Sequence, residues 1–151
     1  MEEKTQQSPA DLNRITDNIW IGSDVSAAEH KEKVMHLSFD IDIGLERDQS
    51  ERIPGVKAVV LFPVEESEEI TPQQLAMGVN LLRDAVKKDF SVLIHSPFGR
   101  GRAPMMVAAY LTTTGMNPEQ AMDFVRAKIG ILDFSEQQKE SLVRFAAQRN
   151  T

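Results

Sequence analysis

The sequence predicts an α/β domain of three layers, with a central, mostly parallel sheet of about four to five strands flanked by helices on both faces. Two observations predict this class. Short apolar segments of strand character alternate along the chain with longer segments of helical periodicity, the order found in parallel α/β proteins. One short apolar segment, residues 91–95 (SVLIH), leads through a glycine-containing turn into an apolar helix, so this strand needs cover on both faces.

Length and composition are typical of one globular domain. The chain has 151 residues, 41% of them hydrophobic and 26% charged, which is enough to bury a core without disulfides. We expect a loose polar tail over residues 1–10 and a single domain over residues 11–149. Because no apolar run reaches the length of a membrane span and residues 1–7 do not resemble a signal peptide, a cytoplasmic protein is expected.

Charge and cysteine content exclude several function classes. The net charge of −6 argues against nucleic acid or an anionic membrane as the main partner. There is no cysteine, and His30, His36 and His95 are too scattered for a zinc site, so no disulfide or metal centre is expected. No organic cofactor is implied, and a monomer is the default for a chain of this size.

The first half of the chain predicts short strands and one helix. Residues 15–22 (ITDNIWIG) fit a short strand or strand pair. A serine followed three residues later by a glutamate opens residues 26–36 as a capped helix. Residues 39–45 (FDIDIGL) alternate apolar and polar side chains, as an edge or half-covered strand does, whereas residues 56–62 (VKAVVLF) predict a strand with a mostly buried second half.

The second half contains three capped helix starts. Residues 71–74 (TPQQ) and 117–120 (NPEQ) each combine a cap, a proline at the first helical position and a reciprocal glutamine. Ser135 with Gln138 repeats the capping pattern. Residues 103–111 (APMMVAAYL) are apolar nearly all round, so the helix they form should be buried.

The turn at residues 96–102 (SPFGRGR) is the candidate binding site. A turn from a strand into a helix can aim successive backbone N–H groups at one anion, and the helix N-terminus adds a favourable field. Gly99 and Gly101 allow a positive φ or a close ligand, and Arg102 offers a planar fork for two phosphate oxygens. Such turns are also common structural connections, so the spacing alone leaves both interpretations open.

The string from His95 to Arg102 (HSPFGRGR) resembles the signature of the protein tyrosine phosphatase superfamily. That signature is a histidine, a cysteine, five residues and an arginine, with glycine three residues after the cysteine. Ser96 stands where the family has its nucleophilic cysteine. Residues 15–23 (ITDNIWIGS) resemble the opening of the small dual-specificity phosphatases, and the resemblance extends over about residues 15–145.

The resemblance implies a two-step hydrolysis of a phosphomonoester through a phosphocysteine intermediate. A thiolate at position 96 would attack phosphorus while Arg102 grips two phosphate oxygens. His95 would support the loop by hydrogen bonding and help to keep the pKa of the thiol low. The phosphate-binding residues implied are Ser96, Pro97, Phe98, Gly99, Arg100, Gly101 and Arg102.

The family also requires a carboxylic acid on a separate upstream loop. Residues 62–66 (FPVEE) resemble that loop, with Glu66 at the place of the usual aspartate and Glu65 as the reserve candidate. A solvated acidic loop is the other interpretation. Gln138 matches the family's late glutamine that positions the hydrolytic water, but we favour its capping role with Ser135.

Four positions qualify the resemblance. An alcohol stays protonated near neutrality, so Ser96 should bind phosphate and scarcely attack it. Ala103 replaces the serine or threonine that eases release of the intermediate in many members. Pro97 has no N–H and removes one donor from the loop. Arg100 either enlarges the positive pocket or is a solvated surface residue.

These residues favour a phosphatase of the dual-specificity or tyrosine type that a cysteine-to-serine change has inactivated into a substrate-trapping form. A natural pseudophosphatase and a phosphate-dependent binding module are the alternatives. The expected partner is a phosphorylated substrate: a phosphoprotein, an inositol polyphosphate or phosphoinositide, or a glucan phosphate. Because the chain has no evident substrate-recognition insertion, a shallow cleft is favoured.

Overall fold

A computed structural model of the chain describes residues 12–23, 37–46, 55–64, 69–96, 101–130 and 134–149. These residues form five strands and four helices. The strands are β1 (Asn13–Arg14), β2 (Ile19–Ser23), β3 (Ile41–Leu45), β4 (Ala58–Phe62) and β5 (Val92–Ser96). The helices are α1 (Pro72–Lys87), α2 (Arg102–Thr112), α3 (Pro118–Ile129) and α4 (Glu136–Arg149).

The strands form one sheet in the order β1-β2-β5-β3-β4. The last four strands of that order run parallel, and β1 pairs with β2 antiparallel. The mostly parallel sheet predicted from the sequence is confirmed, with β5 in its middle and fully buried. Because parallel strands end at the same edge, the carboxyl ends of β2, β3, β4 and β5 lie along one edge of the sheet, which is where ligands bind in this class of fold.

A layer of four helices covers one face of the sheet. Its central member is α2, which packs against α1, α3 and α4, and its residues 103–111 are all buried, as the sequence predicts. The core between the layers is formed by alternate side chains of the strands together with the apolar faces of the helices. No helix among the residues described here is both long and apolar enough to span a bilayer.

The three predicted helix caps are confirmed. In each cap the side-chain oxygen accepts a hydrogen bond from the backbone N–H of a glutamine three residues later. The side-chain oxygen of that glutamine accepts a hydrogen bond from the backbone N–H of the cap residue. The pairs are Thr71 with Gln74, Asn117 with Gln120, and Ser135 with Gln138. The capped helix expected over residues 26–36 lies outside the described residues.

Two predictions about the sheet were wrong: the interior and edge positions of β3 and β4 are the reverse of those predicted. β3, predicted to be an edge or half-covered strand, is interior and wholly buried. Its polar Asp42 is 0% exposed because it contacts His95 on β5. β4 is the edge strand instead, with Val59 40% and Leu61 38% exposed. The polar pattern of a strand describes its own side chains and does not specify its neighbours in the sheet.

Candidate functional site

Ser96 ends the central strand and caps the buried helix that follows it. The residue is 1% exposed, and its Oγ accepts a hydrogen bond from the backbone N–H of Ala103 at 3.2 Å. Ala103 is the second residue of α2, so its N–H has no acceptor within the helix. Gly101, at the cap position, has no side chain that could accept it. Ser96 therefore performs from seven residues away what a cap residue usually does.

Arg102 begins α2 and lies at the carboxyl edge of the sheet. Its Nη1 donates to the backbone oxygen of Leu45, the last residue of β3, at 3.1 Å. Gly44 of β3 pairs with His95 of β5, so Leu45 is level with Ser96 on the adjacent strand. The guanidinium thus lies beside the end of β5, and this bond uses one of its five N–H donors.

His95 lies on the opposite face of β5 from Ser96. Its Nε2 is 2.5 Å from Asp42 Oδ1 and its Nδ1 is 3.9 Å from Glu46 Oε1. The three side chains are nearly inaccessible to solvent, with exposures of 5%, 0% and 9% respectively. Since successive side chains of a strand point to opposite faces, His95 is badly placed to act as a base toward Ser96 Oγ.

Asp42 and Glu46 were not among the candidates from the sequence. Asp42 lies in β3 and Glu46 directly follows this strand. Because the two residues are four positions apart, they lie on one face of the strand with Gly44 between them. The available indication was an acidic residue inside an otherwise apolar strand, Ile41–Leu45. The alternation of apolar and polar residues predicts that Asp42 faces solvent, whereas it is buried against His95, 53 residues later in the chain.

The side chain of Gln138 completes the capping box with Ser135 and also lies close to Gly101. Its Oε1 accepts the N–H of Ser135 at 2.9 Å. Its Nε2 lies 3.5 Å from the place that a β-carbon on Gly101 would take. The capping role is confirmed, and the water-positioning role that the resemblance implies stays a prediction. At Gly101 φ is −133°, outside the left-handed region that favours glycine.

The expected general acids Glu65 and Glu66 lie outside the described residues, as do residues 97–100 with Pro97, Phe98, Gly99 and Arg100. The chain is described as far as the two residues that precede the acid loop. Pro63 O accepts a bond from Gln74 Nε2 at 3.1 Å, and Val64 N donates to Glu46 O at 3.4 Å. These bonds attach the start of the acid loop to α1 and to the end of β3.

Four groups therefore lie at one edge of the sheet: the N-terminus of α2, the hydroxyl of Ser96, the guanidinium of Arg102 and the side-chain amide of Gln138. Each of them stabilises an anion. Within the described ranges, no group of three or more histidine, aspartate or glutamate side chains could hold a metal ion. The arrangement can bind a tetrahedral oxyanion through the charges and dipoles of the chain itself.

Comparison with known proteins agrees with this fold. Residues 19–148 match the model of the dual specificity phosphatase catalytic domain. A stretch of 52 residues is 40% identical to a probable protein tyrosine phosphatase type IVA A of Dictyostelium discoideum. That match spans 33% of this chain and 31% of the Dictyostelium protein, so it covers less than a third of this relative's length.

Solved structures of two human proteins share the fold. Human DUSP28 superposes with a TM-score of 0.83 at 22% identity, over 95% of this chain and 99% of that one. A human tyrosine phosphatase-like serine/threonine/tyrosine-interacting protein gives a TM-score of 0.83 at 15% identity, over 94% of this chain and 99% of the other. At these identities the likeness is one of fold.

Proposed function

This chain belongs to the dual-specificity phosphatase family, and we propose that it is a phosphomonoester hydrolase with serine at the position of the nucleophilic cysteine. In this form it binds a phosphorylated substrate at the edge formed by Ser96, Gly101 and Arg102 and does not turn it over. The reaction of the cysteine form passes through a phosphocysteine intermediate. The partner is a phosphoprotein or a small phosphorylated molecule.

The bond between Ser96 Oγ and the Ala103 N–H is the observation that carries the proposal. A sulfur at the same place would accept the same N–H and lie at the N-terminus of the 11-residue helix α2. Both effects favour the thiolate over the thiol. The site therefore has the electrostatics that a cysteine nucleophile needs, although an alcohol occupies it.

In the proposed reaction, the thiolate of the Ser96→Cys form attacks phosphorus and the bond from phosphorus to the leaving oxygen breaks. Glu66, or Glu65 in its place, gives that oxygen a proton. Water then attacks the phosphocysteine, its proton passes to the same carboxylate, and orthophosphate leaves with the thiolate restored. Arg102 binds two equatorial oxygens throughout, and Gln138 orients the water. The anchoring of Pro63 and Val64 beside the site supports an acid on the loop that follows.

The chemistry of Ser96 supports an inactivated form. The hydroxyl stays protonated near neutrality, and the ring of His95 faces the other side of the sheet, where it contacts Asp42. The positions of the arginine, the glycine and the capping serine at one edge of the sheet nevertheless support a phosphate site. We therefore propose that serine replaces a catalytic cysteine, and that the resulting chain traps its substrate.

The test is to restore the cysteine. We expect Ser96→Cys to hydrolyse an aryl phosphate, with a burst of phosphocysteine detectable by mass spectrometry after acid quench, and the present chain to show neither. Ser141→Cys, on α4, is the matched control for a thiol placed elsewhere and should be inactive. A folded Ser96→Cys variant that is inert toward aryl phosphate, phosphopeptides and inositol polyphosphates would falsify the hydrolase assignment.

A natural pseudophosphatase or phosphate-dependent binding module is the alternative. The buried, hydrogen-bonded state of Ser96 favours it, because a serine in this setting has a structural role of its own. Both accounts expect phosphate binding that depends on Arg102. Only the hydrolase account expects Glu66→Gln, added to Ser96→Cys, to slow the first step, most of all for poor leaving groups.

The substrate class is the finer part of the proposal. Binding of phosphotyrosine and phosphoserine peptides, an inositol polyphosphate, a phosphoinositide and a glucan phosphate to the present chain would rank the classes directly, because no turnover intervenes. The net charge of −6 favours a phosphopeptide with few further negative charges over a highly phosphorylated inositol. Tighter binding of the inositol polyphosphate would overturn that ranking.

A further inference from the structure

We propose that Asp42 is a positioning residue that fixes the ring orientation and the proton of His95 behind the nucleophile position. This inference rests on the proposed function for its catalytic consequence, although the contact itself does not depend on it. Asp42 is completely buried, and its Oδ1 is 2.5 Å from His95 Nε2.

Strand register explains why the ring takes this place. Gly44 pairs directly with His95 across the β3–β5 ladder, and Asp42 pairs with Leu93. Asp42, Gly44 and Glu46 share one face, so the residue directly opposite His95 has no side chain and its two neighbours on that face are acidic. The imidazole can therefore lie over Gly44, with Asp42 at Nε2 and Glu46 Oε1 3.9 Å from Nδ1.

The chemistry of this contact assigns the proton. A carboxylate accepts hydrogen bonds, so the proposal places the ring proton on Nε2 of His95. Burial raises the cost of breaking the bond, because neither partner could turn to water instead. The carboxylate of Glu46, on the Nδ1 side, is beyond hydrogen-bond range of that nitrogen but adds an attractive charge for a protonated ring.

The consequence concerns residue 96, the next residue in the chain. With its proton on Nε2 the ring directs that N–H toward Asp42, and a ring protonated on both nitrogens presents positive charge behind the proposed nucleophile position. Positive charge near a thiol favours its thiolate. Loss of the Asp42 carboxylate would remove the charged acceptor of the Nε2 proton, so the ring would hold that proton less strongly.

The first experiment uses the chain as it exists. Nitrogen-15 NMR of the imidazole should show His95 Nε2 carrying a downfield, slowly exchanging proton that correlates with the ring. In Asp42→Asn this proton should shift upfield or exchange faster. Asp40→Asn is the matched control, because Asp40 is a carboxylate that precedes the same strand and bonds Ser91 and Lys57; it should leave the His95 signals unchanged. An unprotonated Nε2 in the parent chain would overturn the inference even if no variant folds.

The second experiment adds each substitution to Ser96→Cys. Asp42→Asn should lower kcat/KM about tenfold, the order expected for loss of one hydrogen bond to a charged group. It should also move the acidic limb of the pH–rate profile and the ultraviolet titration of the thiolate to higher pH. Asp40→Asn should change neither. Unchanged rate and unchanged limb in a folded Asp42→Asn variant would refute the role.

The two experiments separate two failures. If Ser96→Cys is inert while the NMR result holds, the proposed hydrolase function fails and the Asp42–His95 assignment stands as a structural one. If Ser96→Cys is active and Asp42→Asn affects only stability, the function stands and Asp42 has no positioning role.

Discussion

Ser96 Oγ and the backbone nitrogen of Ala103 are 3.2 Å apart, although seven residues separate them along the chain. One atom thus caps the buried helix at the position that we propose for the nucleophile. Replacing oxygen by sulfur would change the chemistry at that position and keep an acceptor for the same N–H. The proposed nucleophile position therefore also has a structural task.

Ser96→Ala should destabilise the fold. The change leaves the buried N–H of Ala103 without its acceptor, which costs about 1–3 kcal/mol in the free energy of unfolding. Urea denaturation measures that loss. Ser141→Ala, a half-buried position on α4, is the control and should stay within about 0.5 kcal/mol of the parent chain. Equal stability of Ser96→Ala and the parent would mean that the cap bond contributes nothing.

Gln138→Glu should separate the two roles of Gln138. A glutamate still accepts the N–H of Ser135 and completes the capping box, so stability should be maintained. It replaces the amide nitrogen near Gly101 with a carboxylate, so orthophosphate affinity should fall at least about tenfold. Isothermal titration with phosphate measures this. The control is Gln120→Glu, which makes the same change in the capping box of Asn117, beyond the C-terminal end of α2, and should bind phosphate like the parent. Equal phosphate affinities of the two variants would show that Gln138 is not part of the site.

Arg102→Ala should abolish most phosphate binding with little loss of stability. Removal of a charged donor fork costs about ten- to a hundredfold in affinity. The lost bond to Leu45 O is only partly buried and should cost under about 1 kcal/mol. The matched control is Arg83→Ala, an exposed arginine on α1, whose affinity should be unchanged. Retained binding in Arg102→Ala would place the phosphate elsewhere.

Asp40 should make stability depend on pH in the acid range. The pKa of Asp40 is held below its ordinary value of 3.8, chiefly by the hydrogen bond from the backbone N–H of Ser91 and further by Lys57. Because the pKa is lower in the folded state, the stabilisation is complete above 3.8 and is lost as the pH falls through the folded pKa. Asp40→Asn should therefore destabilise the fold near neutral pH and do so progressively less in acid. A cost that does not change with pH would show that the Asp40 carboxylate is not the cause.

The local features of this protein are determined by its sequence. The three capping boxes join residues three apart, and β5, the turn and α2 follow one another without interruption. A pattern within four to seven residues is enough for each of them, because both partners of every bond lie inside the pattern. The string from His95 to Arg102 is equally local, and its resemblance to the phosphatase signature predicts an anion site.

The order of the strands and the contacts across them were decided by the tertiary structure. Asp42 is buried by His95, 53 residues later, and Arg102 bonds the carbonyl of Leu45, 57 residues earlier. β3 reads as an edge strand and lies inside the sheet, and β4 shows the reverse. Alternation records which side chains a strand carries, but whether a polar one meets water or a partner depends on pairing between distant segments. That pairing is set by the packing of the whole domain, so the carboxylate behind the nucleophile position could be identified only in the folded chain.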